Sequence, residues 1–332
     1  MIDYMGSLVK IRKYHGLGND FLVLLDVDGH GGADHGTLSD ASSGSSGSYG
    51  SFNSQWSGDD AAALARAVCN RHRGIGADGL LIVSSGPADG TADITMRLHN
   101  ADGSIAEMSG NGIRCFSQAV VDSGLAPTGT LRVQTDAGLR VVEVGSTNAD
   151  GIANIRVDMG IAKVDSFEIP LPVRALVEAL GDSSARIAVV DVGNPHLIVG
   201  VDATVIDVAV FDIASFGSEV EEHFMDAFGG INVHVVSRPG SPTPIVTSAL
   251  STAEPSVSVL DMTIWERGVG VTEACGTGAT AVAVAARLWG WAGMVTELRQ
   301  PGGTARVEIA GEQLTLIGPS QFVAISDFAW HR

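Results

Sequence analysis

The sequence predicts an α+β protein built as two similar halves, and three observations predict it. Short apolar runs, alternating or continuous and bounded by Gly, Pro and Asp, dominate the 332 residues. Only three or four convincing helices interrupt them, without the regular strand–helix alternation of a parallel α/β sheet. One short pattern occurs twice and precedes a helix each time: Glu107-Met108-Ser109-Gly110-Asn111-Gly112 and Glu273-Ala274-Cys275-Gly276-Thr277-Gly278. Ser109 and Cys275 are 166 residues apart, half the chain, so equivalent elements are expected in each half.

Taken in order, Val9 to Tyr14 and Phe21 to Val27 read as strands joined by the polar turn His15-Gly16-Leu17-Gly18-Asn19-Asp20. From Asp28 to Gly58, 8 Gly and 9 Ser fill 31 positions, too little apolar matter for a core, so a mobile surface loop is expected. His30 and His35 within it lack a third ligand and are read as solvated rather than metal-binding. Asp59 and Asp60 are placed to cap a helix through Ala61 to Cys69. Strands are expected at Leu80 to Val83, Ile94 to Leu98, Leu131 to Thr135, Leu139 to Val144 and Ile152 to Asp158. The second series is Ile187 to Val192, Leu197 to Val201, Ile231 to Val236, Met262 to Glu266 and Ala305 to Ile309. Four prolines, Pro239, Pro242, Pro244 and Pro255, mark a flexible insertion at about 237–256. The helix after Gly112, Ile113 to Ser123, reads as amphipathic, with Ile113, Phe116, Val120 and Val121 on one side. The helix after Gly278, Ala279 to Trp289, is apolar almost all round and is expected to be buried, wrapped by strands.

Composition excludes several classes. Thirty-eight acidic against 20 basic residues give a net charge of −18, contrary to a nucleic-acid-binding surface. A 45% hydrophobic content rules out wholesale disorder. Three cysteines without a CxxC pair and an N-terminus without an apolar core segment suggest free thiols in a reducing, cytoplasmic setting. The longest apolar stretch, Ala279 to Ala286, is too short to span a bilayer, so no membrane partner is expected.

The repeated pattern carries the chemistry. Glycines let backbone approach a ligand, and the N–H groups and positive dipole end of a helix favour an anion. A cysteine there has its thiolate stabilised, so Cys275 is expected to have a lowered pKa and to act as base or nucleophile. Read as a dinucleotide fingerprint, Gly276 to Ala281 is weak, because no βαβ unit accompanies it.

The chain resembles diaminopimelate epimerase in blocks that follow that family's order over almost its whole length. They are His15-Gly16-Leu17-Gly18-Asn19-Asp20-Phe21, Arg73-Gly74-Ile75-Gly76-Ala77-Asp78-Gly79, Asn100-Ala101-Asp102-Gly103-Ser104 and Ser109-Gly110-Asn111-Gly112-Ile113-Arg114-Cys115. The second half adds Gly193-Asn194-Pro195-His196, Ile231-Asn232-Val233, Glu266-Arg267-Gly268-Val269-Gly270 and Ala274-Cys275-Gly276-Thr277-Gly278. The resemblance implies an isomerase that needs no cofactor or metal and interconverts LL- and meso-diaminopimelate for lysine and peptidoglycan synthesis. It implies two pseudo-symmetric domains, each a mixed β-sheet or barrel round a central helix, with the site between them, and a homodimer. Units of 1–157, joined by a C-terminal strand within 319–332, and 158–318 follow from it.

By the same resemblance two thiols would work from opposite faces of the α-carbon, with Glu266 and His196 tuning proton transfer. Asn19, Asn100, Asn194, Asn232 and Arg267 would bind the substrate, and Gly110, Asn111, Gly276 and Thr277 would cradle its α-carboxylate. Ser109, however, stands where the family has its first catalytic cysteine. An alcohol is far too weak an acid to rest as an alkoxide. Three accounts stay open: a natural variant working through Cys275 with water on the other face, an introduced Cys→Ser change, or a one-base reaction such as a dehydration. A proline-racemase-like isomerase or dehydratase on another amino or imino acid, and an inactive diaminopimelate-binding protein, are the competing readings. Cys115, six residues beyond Ser109, and Cys69 are read as packing residues, and Gly79 replaces a Gln common in the family.

Overall fold

The computed structural model describes residues 7–27, 56, 58–106, 108–164, 168–239 and 256–330. Glu107, most of the Gly/Ser-rich stretch with His30 and His35, and most of the Pro-rich stretch lie outside them.

The first half runs β1 (Ser7–Gly16), β2 (Asn19–Asp26), α1 (Gly58–Cys69), β3 (Gly79–Ser85), β4 (Ile94–Asn100), β5 (Ile105–Ala106), α2 (Gly110–Asp122), β6 (Gly129–Thr135), β7 (Gly138–Val144) and β8 (Ile152–Gly160). The second runs β9 (Lys163–Val164), α3 (Leu171–Ala179), β10 (Arg186–Asp191), β11 (Pro195–Val201), α4 (Ile213–Glu222), α5 (Met225–Phe228), β12 (Asn232–Ser237), β13 (Val257–Glu266), β14 (Gly270–Val271), α6 (Gly276–Leu288), β15 (Val295–Gln300), β16 (Gly303–Ala310) and β17 (Gln313–Trp330).

Pairing repeats between the halves. β1–β2 is antiparallel, β2–β3 parallel, β3–β4 antiparallel and β4–β6 parallel, then β6–β7–β8 antiparallel. The series β10, β11, β12, β13, β15, β16, β17 follows the same sequence of orientations. The 18-residue strand β17 links the two: Leu314 to Gln321 pairs with β8, and Gln321 to Trp330 with β1. That closes an eight-stranded ring of β1, β2, β3, β4, β6, β7, β8 and β17. In return β9, just past β8, pairs with β10.

Two-residue alternation explains the continuous apolar strands. Leu81 and Val83 point into the ring with Val23 and Leu25, while Leu80 and Ile82 point outward with Leu22 and Leu24 against Leu64 and Val68 of α1. In the second half Leu197 and Val199 likewise face Phe216 and Val220 of α4, and Ile198 faces the interior. Sheets covered on both faces carry apolar residues at every position.

The helices α2 and α6 occupy the interiors. Alanines and Val282 along α6 let strands approach it, as its composition predicts. α2 is amphipathic as its sequence predicts, with Ile113, Phe116 and Val120 in the core, but its polar side is enclosed too: every residue from Gly110 to Val120 is buried. A closed ring leaves no watered side, so Arg114 and the Gln118 amide nitrogen find partners inside, while Ser117 Oγ is buried without one. Arg114 donates to the carbonyls of Pro319 and Gly110 at 3.2 and 3.1 Å and to Asn111 Oδ1 at 2.7 Å. Gln118 donates to Gly151 O at 2.8 Å.

Six helices are present among the described residues rather than three or four. Of those the sequence reading omitted, α4 had a readable start, since Asp212 caps it by accepting from Ser215 N at 3.1 Å. Sequence patterning does not reveal strand β15, because polar Thr296 and Gln300 share its buried face with Leu298 and leave no apolar alternation.

Candidate active site

Ser109 and Cys275 are N-caps of α2 and α6 with nearly the same backbone, φ −138 and ψ 122 against φ −133 and ψ 112. Ser109 Oγ accepts from Gly112 N at 3.0 Å, and Cys275 Sγ accepts from Gly278 N at 3.3 Å. Extended backbone at the cap, followed by glycine, turns each side chain back over its own helix end. The two ends meet: a Cβ on Gly110 would lie 3.0 Å from Gly276 Cα. Asn111 ties them together, donating to Ala274 O at 2.9 Å and to Asn19 Oδ1 at 3.2 Å. Two helices abutting by their N-termini bring together two partial charges of about +0.5. An anion shared between them relieves that repulsion.

The halves differ in what surrounds each cap. Phe21 faces Gly79 at the first pair of β2 and β3, and His196 faces Asn232 at the first pair of β11 and β12. Asn100 ends β4, and Glu266 ends the equivalent β13. The titratable groups therefore come from the Cys275 half, with Phe21 and Asn100 in their places in the other.

The lowered thiol pKa expected for Cys275 is corrected. At 3% exposure, burial pushes the thiol well above its ordinary range, and the hydrogen-bonded Glu266 carboxylate pushes the same way. Hydrogen bonds from Thr277 and Gly278 oppose this and are outweighed. Desolvation exceeds what a helix end returns. Burial also raises Glu266, against hydrogen bonds from Thr272 and Cys275. Burial, then the charges of His234 and Arg267, holds His196 well below the ordinary histidine range.

The other residues singled out lie as follows. Asn19 donates to Asp78 Oδ2 at 2.6 Å. Asn100, exposed, donates to Ser104 Oγ at 3.0 Å. Asn194 Oδ1 lies 2.9 Å from His196 Nε2. Asn232 donates to Pro195 O at 3.0 Å and accepts from Arg267 N at 3.0 Å, and the exposed Arg267 guanidinium donates to Phe228 O at 3.1 Å. Thr277 Oγ1 lies 3.5 Å from Cys275 Sγ. At Gly79 a Cβ would come 2.9 Å from His99 O, so a longer side chain has no room without a shift of backbone. Cys115 and Cys69 are buried, and burial is the largest cause pushing both thiols up to about 12.

The sequence reading missed three participants. Gln300 Oε1 accepts from Cys275 N at 2.8 Å, and Thr272 Oγ1 donates to Glu266 Oε1 at 2.7 Å. His234 stacks on His196, its Nε2 lying 2.8 Å from His196 Nδ1. The clue was the period of two on β12, which puts His234 on the same face as Asn232. One ligand atom each from His196, His234 and Cys275 lie within 4.8 Å of one another. A surface groove lined by Glu143, Asn154, Arg156, Glu297 and Arg306 contains none of these residues.

A family model described as diaminopimelate epimerase matches residues 51–164 and 188–323. A diaminopimelate epimerase of Desulforudis audaxviator is 35% identical over 306 residues, covering 90% of this chain and 91% of its own. One of Methanothermobacter thermautotrophicus is 35% identical over 286 residues, covering 84% and 82%. Among solved structures, a Bacillus anthracis phenazine biosynthesis protein of the PhzF family superposes with a TM-score of 0.64 at 17% identity, covering 97% and 99%. An Agrobacterium vitis hydroxyproline epimerase with bound trans-4-hydroxy-L-proline gives 0.63 at 14%, covering 98% and 94%; both show the shared fold.

Proposed function

The chain belongs to the diaminopimelate epimerase family, and from that premise we propose that it interconverts LL- and meso-2,6-diaminopimelate by moving the α-proton, with unequal groups on the two faces. The matched caps Ser109 and Cys275 at abutting helix ends are the observation that carries this reading.

On one face Cys275 passes its proton to the hydrogen-bonded Glu266 and the thiolate takes the α-proton. Charge developing on the substrate's α-carboxylate falls between the backbone N–H groups of Gly110, Asn111, Gly276 and Thr277. Preorganised donors in a dry site are what that charge needs. On the other face Ser109 Oγ, which accepts from Gly112 N, has its own hydrogen to donate to the substrate or to a water. An alcohol is a weak acid and its alkoxide is not held at rest, so the step at Ser109 slows epimerisation in both directions, whereas exchange at the Cys275 face does not pass through it.

Asn19, Asn100, Asn194, Asn232 and Arg267 hold the distal amino-acid end, where Arg267 suits a carboxylate. His196 orients Asn194. The same reading takes 1–157 with 319–332, and 158–318, as the two domains of each subunit, and the protein as a cytoplasmic homodimer.

Incubation of each stereoisomer in D2O tests it. Faster deuterium entry into the isomer whose α-hydrogen faces Cys275, with slow conversion to the other, is expected. No exchange in any isomer leaves only ligand binding; exchange accompanied by loss of water from a hydroxylated imino acid transfers the reading to a dehydratase.

A further inference from the structure

His196, His234 and Cys275 come from three rigid elements: β11, β12 and the cap of α6. All are buried, with relative exposures of 0, 0 and 3%. The register of the parallel pair β11–β12 sets His196 opposite Asn232, so His234, two residues on, points to the same side. The α6 cap then lowers Cys275 onto them: a Cβ at Gly278 would lie 2.5 Å from His234 Nε2 and 3.1 Å from Cys275 Sγ. Only glycine lets the helix end sit that close to the imidazole.

Asn194 Oδ1 can only accept from His196 Nε2, which leaves His196 Nδ1 with a bare lone pair aimed at His234 Nε2. A buried imidazole turned by a side-chain oxygen toward two further soft donors is the arrangement found around metal ions. His234 is the part that catalysis leaves unexplained. Its Nδ1 is buried without a hydrogen-bond partner.

We propose that His196, His234 and Cys275 form a binding site for a borderline-soft divalent cation of the zinc class. Two imidazoles and a thiolate are donors such an ion prefers. Metal–nitrogen bonds of about 2.0–2.1 Å and a metal–sulfur bond of about 2.3 Å need the three atoms some 3.3–3.7 Å apart, and separations of 2.8 to 4.8 Å bracket that. Binding releases the Cys275 thiol proton to solvent and moves the His234 proton from Nε2 to Nδ1. Glu266 stands next to the thiol for a fourth position. The ion consumes the thiolate, so it switches off proton abstraction. That consequence rests on Cys275 being the working base; the site itself does not.

Titration of the full chain with Co2+ tests the site without turnover. One equivalent is expected to give a thiolate-to-cobalt charge-transfer band, displaced by Zn2+. Cys275→Ser should remove the band, and His234→Leu should weaken affinity at least tenfold, in the range second- and first-shell losses produce. Exchange of the exposed His72 or His223 for Gln should change neither. If His234→Leu does not fold, as judged by circular dichroism, His234→Gln is read in its place. No band in the unaltered chain, or unchanged affinity in the His234 variant, overturns the proposal. A band in a chain that shows no α-proton exchange keeps the site and removes only the epimerase reading.

Discussion

Gly110 and Gly276 face each other backbone to backbone where the two halves join. A Cβ on either would stand 3.0 Å from the other's Cα, and one on Gly276 would also stand 2.9 Å from Leu316 Cδ2. Backbone cannot rotate out of the way as a side-chain tip can. Gly276→Ala must therefore spread the helix ends that are proposed to grip the α-carboxylate. Misplacement of about 1 Å costs on the order of 10²-fold in rate. We expect α-proton exchange to fall by that amount while the circular dichroism spectrum stays unchanged; retention of full exchange would show that the contact has no part in catalysis.

The difference between Ser109 and Cys275 is chemical, because their backbones and cap hydrogen bonds match. Ser109→Cys places a second thiol at the end of α2. General acid–base groups contribute about 10²–10⁴-fold, and the gain should appear in epimerisation more than in exchange at the Cys275 face. Cys275→Ala should abolish exchange in all isomers. Stereoisomer-resolved deuterium incorporation measures both, and an unchanged or lower rate in Ser109→Cys would sink the role given to that position.

Arg114 is wholly buried, and burial holds its guanidinium down to about 10, so it remains charged near neutrality. It satisfies Gly110 O, Pro319 O and Asn111 Oδ1 at once, fastening the reactive end of α2 to strand β17. Arg114→Leu removes the charge together with three hydrogen bonds to buried acceptors. We expect a loss of about 2–4 kcal/mol in urea unfolding; a loss below about 0.5 kcal/mol would mean the guanidinium contributes little beyond packing.

Asp20 supports the Asn19 turn. Burial alone would raise its carboxyl, but hydrogen bonds and charge from Arg71 and Lys13 outweigh burial and lower it. A carboxyl lowered in the folded chain stabilises it fully above its unfolded value, about pH 4. That contribution is lost as pH falls through the folded-state value. Asp20→Asn should cost about 1–3 kcal/mol at pH 7, and its difference from the unaltered chain should shrink as pH drops below about 4. Urea unfolding at pH 7, 5 and 3 checks the sign; a difference that grows on acidification contradicts it.

Much of this protein was legible before any coordinates. The doubled cap-and-glycine pattern declared two equivalent helix starts. Apolar runs such as Leu80 to Val83 marked strands, and the composition of α6 announced a buried helix. These are local properties, set by side-chain volume, alternation and the few residues that can end or begin a helix. What needed the tertiary structure was everything that depends on which segments become neighbours. The closed ring buried the amphipathic α2 on all sides. The parallel register of β11 and β12 stacked His234 on His196 under Cys275. Burial, which no sequence motif reports, reversed the direction of the Cys275 pKa by outweighing the helix end beneath it. Periodicity and cap chemistry act within a few residues and can be read along a chain, whereas dielectric and contact arise between segments tens of residues to more than a hundred apart and exist only once the chain has closed on itself.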